Sequence, residues 1–343
     1  MTSARHCSID LESTPYYHLV SRCVRRSFLC GEDPVTGKNF DHRKQWLVDR
    51  IKTLGEIFSL DVCAYVAMSN HYHLILHVDL DQSKQWSDRE IIERWGTLFP
   101  KSIAAVAATG QSLTREQKNA VDLQVDTWRE RLSDISWFMR CINEPLARLA
   151  NQEDGCTGRF WEGRFKSQAL LDEGALLTCM AYVDLNPIRA GIHQTLEDSD
   201  FTSIQERIQA EQQNRKNKAK QQEDLDKYAN QPSQLLPFDG HPDEDDTQVT
   251  LPMNFTDYLT LVEWTGQAIR NDKKGAIPAH ITPILQRLAI DEKEWLMSVK
   301  HFHSRFYRMI GKLSCLQQAC RQMGQSWLKG LGAVKALYIN PIN

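Results

Sequence analysis

The chain has 343 residues, 41% apolar and 25% charged, with a formal net charge of -3. That is enough for two or three cores, and it excludes a uniformly basic nucleic-acid coat. No apolar run approaches the roughly 20 residues that span a bilayer, the opening MTSARHCSIDLEST lacks an apolar signal-peptide core, and nine scattered cysteines without a C-x-x-C fit no disulfide framework, so a soluble cytoplasmic protein with no membrane partner is expected.

Residues 16–23 alternate as a first strand, with His18, Val20 and Arg22 on one face. After a Gly- and Pro-containing loop, Trp46, Leu47, Ile51, Leu54, Ile57 and Phe58 recur at helical spacing over residues 41–58. Two strands, about 62–67 and 71–78, meet at the Ser69-Asn70 turn. Residues 81–131 are polar and patchily helical (88–98 and 114–132) and read as an insertion. Ser133 is expected to cap a helix over 134–152, whose apolar face includes Ile135, Phe138, Ile142 and Leu146 and which Pro145 can kink. Residues 158–167 alternate as a fourth strand, with Glu162, Arg164 and Lys166 on one side and Trp161 and Phe165 on the other. Asp172 then caps a helix from 173 to about 185, which Pro187 stops.

This order predicts an α+β fold: a ferredoxin-like, four-stranded antiparallel sheet with covering helices, over residues 1–200. Residues 204–250 turn to Gln, Asn, Lys, Asp and Pro, with a basic knot (Arg215, Lys216, Lys218, Lys220) and an acidic one at 243–246. They read as a charged, mobile linker with a helical first half. Residues 251–343 regain Trp264, Trp295, Phe302 and Phe306 at helical spacings and predict an all-α C-terminal domain. From Met253 onward it holds twelve basic residues against six acidic ones, a charge of about +6.

Chemistry can be placed in two stretches. His71 and His73, two apart on a strand, share a face and can grip a divalent metal. His77 lies roughly 13 Å beyond His73, too far to join them, and reads as structural. Tyr182 and Asn186, four apart, share a helical face. A phenolate is a competent nucleophile but, with an ordinary pKa near 10, needs a neighbouring cation or base. A phosphodiester needs its charge neutralised, which a metal can do. His71, His73 and Asn186 are therefore candidate metal ligands, and Tyr182 the candidate nucleophile of a phosphotyrosine intermediate that a 3′-hydroxyl can reverse. Arg164, Lys166 and Arg189, with Arg25 and Arg26 after the first strand, are candidate DNA contacts.

The motifs MSNHYHLILH (68–77), GRFWEGRFKS (158–167) and YVDLNPIRAG (182–191), in that order, resemble the single-tyrosine HUH transposases, and among them the REP-associated tyrosine transposases. The resemblance spans about residues 16–192, interrupted at 81–131. It implies a ferredoxin-like catalytic fold, Mg²⁺ or Mn²⁺, 5′-phosphotyrosine chemistry, and single-stranded DNA with short palindromic hairpins as partner. His71 and His73 correspond to the histidine pair, Tyr182 to the nucleophile and Asn186 to the third polar ligand. Dimeric relatives pass the tyrosine helix to a partner, so a homodimer with Tyr182 serving another copy is one arrangement it allows. The tail beyond Gly191 lies outside the resemblance and is expected to add DNA affinity or protein contacts. The rival readings are a replication initiator or relaxase, a non-catalytic hairpin-binding regulator derived from such an enzyme, and a metallohydrolase that uses water.

Overall fold

A computed structural model describes residues 9–24, 30–32, 37–218, 231–239, 249–270, 282–324 and 330–339. Strand β1 (Tyr16–Arg22) leads through helix α1 (His42–Ile57) to the hairpin β2 (Leu60–Ala67) and β3 (His71–Val78), closed by Met68 N donating to His71 O. Five short helices follow: α2 (Leu80–Gln85), α3 (Asp88–Leu98), α4 (Ile103–Ala108), α5 (Arg115–Asp122) and α6 (Val125–Leu132). Helix α7 (Ile135–Glu153) runs through Pro145, and β4 (Lys166–Leu170), α8 (Glu173–Asp184) and the single turn α9 (Asn186–Arg189) come next. The remainder holds α10 (Ser203–Lys218), α11 (Phe255–Ile269), α12 (Thr282–Arg287), α13 (Glu292–Lys300), α14 (Phe302–Arg305), a two-residue β5 (Met309–Ile310), α15 (Leu313–Gln322) and α16 (Leu331–Leu337).

The strands form one sheet in the order β2-β3-β1-β4-β5, antiparallel except for the β4–β5 pair. The fold is α+β. Residues facing each other across paired strands share a side of the sheet. Val20 lies opposite both His73 and Lys166, Arg22 opposite His71, and His18 opposite Gln168. These residues, polar apart from Val20, occupy one face. Tyr17, Leu19, Tyr72, Leu74 and Leu76, all at 0% exposure, occupy the other. On that face α1 and α7 pack together, with Phe58 edge-on to Phe138, and Tyr72 Oη donates to Asn143 Oδ1 of α7. Each aliphatic side chain so buried contributes roughly 1.5–3 kcal/mol.

Helix α8 covers the histidine face. Every residue from Gly174 to Asp184 is buried because the sheet lies on one side and the C-terminal helices on the other. Asp172 caps it by accepting from Ala175 N. The C-terminal region is mainly helical, yet it is built into the sheet domain. Its α13 packs along α8, its β5 extends the sheet, and Gly266 of α11 comes so near that a Cβ there would lie 3.0 Å from Leu185 Cδ2.

Several expectations need correction. The fourth strand begins at Lys166, not 158. Residues 158–165 form no regular strand: Gly158 is at φ 109°, a left-handed conformation, and Trp161 makes only an isolated antiparallel bridge to Cys23, flanked by Val24 N donating to Phe160 O and Glu162 N to Arg22 O. Asp134, not Ser133, caps α7 by accepting from Trp137 N, while Ser133 Oγ turns back to Glu130 O. As expected, α8 itself stops before Pro187, ending at Asp184 with Leu185 as its C-cap, but a separate helical turn follows at once. Pro187 sits in the first turn of α9, where its missing N–H costs nothing. The mobile linker is in its described parts a packed element. Ser203 Oγ accepts from Tyr65 N, Arg207 donates to Cys63 O and Leu236 O, and Ile204 and Ile208 are buried. Lys220 and the acidic knot at 243–246 lie outside the described residues. Among the described residues no helix is long and apolar enough to cross a membrane.

Candidate functional site

The site is assembled from β1, β3, β4, the loop before β4, α8 and α14. A cavity of about 270 Å³ is lined by Val20, Arg22, His71, His73, Glu162, Gly163, Arg164, Lys166, Tyr182 and His303. Strand alternation brings His71 and His73 to the same wall, their ring centroids 4.9 Å apart. Tyr182 descends on them from α8. Its ring stands edge-on to His73 at 5.4 Å and to His18 at 6.1 Å, so the tyrosine faces the histidine pair of its own chain.

A histidine that sequence reasoning passed over organises this wall. His18 Nε2 lies 2.8 Å from His73 Nδ1, and His18 Nδ1 lies 3.1 Å from Gln168 Oε1. The amide oxygen can only accept, so His18 donates from Nδ1 and accepts at Nε2, and His73 donates from Nδ1. His73 Nε2 is then a bare lone pair. It is buried and has no hydrogen-bond partner, the state of an imidazole prepared to bind a cation. His71 Nδ1 lies 2.6 Å from Asn70 Oδ1, which by the same reasoning leaves its Nε2 as the acceptor.

Electrostatics agrees with this tautomer chain. Burial pushes His18 down to about 4, the Gln168 contact opposing the shift and His303 adding to it. Burial, then the charges of Arg22 and His303, holds His71 at about 4. His73 is driven well below the ordinary histidine range by burial first and by His18, His71, His303 and Arg189 after it. All three imidazoles are neutral near pH 7, the form that ligates metals. The two candidate donors therefore fit a divalent cation. Among the described residues no group of three or more His, Cys, Asp or Glu is gathered closely enough to complete a cage from those residue types alone.

Asn186 occupies the first turn of α9, buried, with its Nδ2 unpartnered. It is not among the residues that line the cavity. Lys166 opens β4 beside Val20 on the histidine face, and Arg164 reaches the same cavity from the loop rather than from the strand. Arg189 is committed to protein contacts: its guanidinium carbon lies 4.7 Å over the Tyr182 ring and its Nη2 donates to Lys300 O at 2.5 Å. Arg25 and Arg26 lie outside the described residues. His77 pairs with Asp61 at 2.8 Å, away from the cavity. Trp161 packs edge-on to Tyr72 and donates to Asn143 O, on the opposite face.

His303 and Phe302, from the C-terminal region, also belong to the site and were not anticipated. Phe302 stacks on the Tyr182 ring at 4.7 Å and 17°. The alternation of His18 with Val20 and Arg22 was visible in the sequence and was the available signal for His18. Nothing local marks Phe302 or His303.

No protein-family profile matches the chain, and no curated protein matches it. A solved structure of a REP-associated tyrosine transposase bound to a REP hairpin is similar at 15% identity and a TM-score of 0.36, over 61% of this chain and 86% of that one. Likeness of that degree decides neither family nor activity.

Proposed function

We propose that this chain is a metal-dependent endonuclease and strand transferase that acts on single-stranded, hairpin-forming DNA through a 5′-phosphotyrosine at Tyr182. The observation that carries the reading is the meeting, in one cavity, of a tyrosine with two neutral imidazoles, one bearing an orphaned Nε2, under the cationic Arg22, Arg164 and Lys166. The strand order β2-β3-β1-β4 with two helices on one face supports a ferredoxin-like reading of the catalytic unit. The three ordered sequence motifs favour the same chemistry.

In this reading Arg22, Arg164 and Lys166 hold the backbone phosphates and bring the scissile one to Tyr182. The tyrosine oxygen attacks phosphorus, its proton passes to solvent or a base, and the bond to the 3′-oxygen breaks. That oxygen leaves as a 3′-hydroxyl after taking up a proton. Attack by a 3′-hydroxyl on the phosphotyrosine reverses the step and rejoins strands without hydrolysis. His71 and His73 would hold Mg²⁺ or Mn²⁺, which would neutralise charge on the scissile phosphate; Asn186 is the third ligand proposed from the sequence, although it does not line the cavity. The hydrogen bond between His18 Nε2 and His73 Nδ1 would leave His73 Nε2 unprotonated and able to bind such a cation.

The test is incubation with a labelled, hairpin-bearing single strand and Mn²⁺. A covalent protein–DNA adduct that vanishes in Tyr182→Phe is expected. Binding without an adduct would favour the hairpin-binding regulator. Continued cleavage by Tyr182→Phe would favour a metallohydrolase that uses water.

A further inference from the structure

We infer that residues 300–303 of the C-terminal region form a working wall of the site, with Phe302 positioning Tyr182 and His303 meeting the bound phosphate. Phe302 is 1% exposed, and beyond its stack on Tyr182 it stands edge-on to His18 at 5.8 Å and to Phe306 at 5.3 Å. The same short segment supplies the carbonyl of Lys300 that receives Arg189, whose guanidinium covers the Tyr182 ring. Two contacts from one segment thus converge on a single side chain. The next residue, His303, turns into the cavity shared by Lys166, His71 and His73.

The placement of this segment is held from both sides. Before it, α13 packs along α8, and Trp295 Nε1 donates to Thr265 Oγ1. After it, β5 pairs with β4 through Ala169 N to Arg308 O and Leu171 N to Ile310 O, both at 2.8 Å. A loosely tethered affinity module would need neither anchor. The packing instead fixes Phe302 against one ring.

The chemical reason is orientation. A tyrosine ring turns about two side-chain torsions, and edge contacts with His18 and His73 leave its flat surface open to swing. In-line attack tolerates little displacement, since an error of about 1 Å can cost roughly 100-fold in rate. A stacked aromatic partner removes that freedom. His303 lines the cavity beside Arg22, Arg164 and Lys166, and its imidazole carries an N–H that can be donated to an anionic oxygen.

The experiment compares the full chain with Phe302→Leu, which keeps apolar bulk, Phe302→Tyr, which keeps the ring, and His303→Gln. Melting temperature, affinity for the hairpin oligonucleotide, adduct formation with Mn²⁺, and nitration of Tyr182 by tetranitromethane mapped by mass spectrometry are measured for each. Phe302→Leu is expected to slow adduct formation by roughly tenfold or more and to hasten Tyr182 nitration, with hairpin affinity within about twofold. Phe302→Tyr is expected to restore both. His303→Gln is expected to raise the DNA concentration needed for half-maximal adduct formation while nitration stays unchanged, and an unaltered requirement removes His303 from the wall.

Rates and nitration in Phe302→Leu equal to those of the unaltered protein overturn the positioning role. So does a rate loss matched by equal losses of melting temperature and hairpin binding, or a failure of Phe302→Tyr to restore the rate. The inference rests on Tyr182 as nucleophile, but nitration does not require catalysis. If the unaltered protein forms no adduct, the functional reading fails, and nitration alone still decides whether Phe302 governs the ring.

Discussion

The two faces of the sheet are made from alternate residues of the same strands, and they serve opposite ends. Toward α1 and α7, β1 and β3 present Tyr17, Leu19, Tyr72, Leu74 and Leu76, all without solvent exposure and packed as an apolar core in which both tyrosine hydroxyls are hydrogen-bonded. Toward α8 the same strands present His18, Arg22, His71 and His73, with Lys166 and Gln168 beside them. Burial on the first face releases free energy. On the second, burial is costly, and the structure meets that cost by keeping imidazoles neutral and linking them in a hydrogen-bonded row. One face holds the fold together and the other stores reactivity, at a separation of one residue along the chain.

Substitutions can break the two faces apart. The largest effect is expected from Leu74→Ala, which should lower unfolding free energy by about 2–5 kcal/mol in urea titrations while Mn²⁺ affinity of the folded protein is unchanged. On the other face His73→Ala should keep its melting temperature within a few degrees but lose roughly 100-fold or more in Mn²⁺ affinity by calorimetry, since it removes the orphaned donor itself. His18→Leu, which removes only the partner that orients that donor, should cost about 10- to 100-fold in the same titration.

Acid should sharpen the contrast. In the fold His18 and His71 sit at about 4, against an ordinary 6.5 in the unfolded chain, so between these values the unfolded chain binds more protons. Stability from these groups is complete above about 6.5 and declines as pH falls toward 4. Replacing His18 with Leu should flatten that part of the stability profile, and an unchanged slope would refute the buried neutral state. The smallest effect is expected from Asp61→Asn. Its pair with His77 is partly exposed and outside the cavity, so less than about 1 kcal/mol of stability and no Mn²⁺ affinity should be lost.

Much of the strand framework was legible because its period of two is written locally: the 71–78 strand, its hairpin and the shared face of His71 and His73 all follow from alternation. Asp172 as the cap of α8 was legible for the same reason, since capping involves residues three apart. The stretch 158–165 misled in part because its alternating aromatic and charged residues pair with the end of β1 only at the Trp161–Cys23 bridge and are not continuous with β4. Residues 203–218 form the helix expected of the linker's first half, and their composition misled only about mobility. Their polar surface hides Ile204, Arg207 and Ile208, a narrow stripe at helical spacing that packs against β2.

What the sequence alone determined is the local chemistry: which side chains are nucleophilic, cationic or metal-seeking, and which neighbours share a face. Only the tertiary structure decided which of them meet. The His18–His73–Gln168 row needs three strands in register, and the stack of Phe302 on Tyr182 needs a distant helix to dock on α8. Such contacts depend on how whole faces pack, a property of the assembled chain that short-range spacing does not encode. The same reason left Asn186 an open ligand: its position four residues from Tyr182 is local, whereas whether it lines the cavity depends on tertiary packing, and it is not among the lining residues.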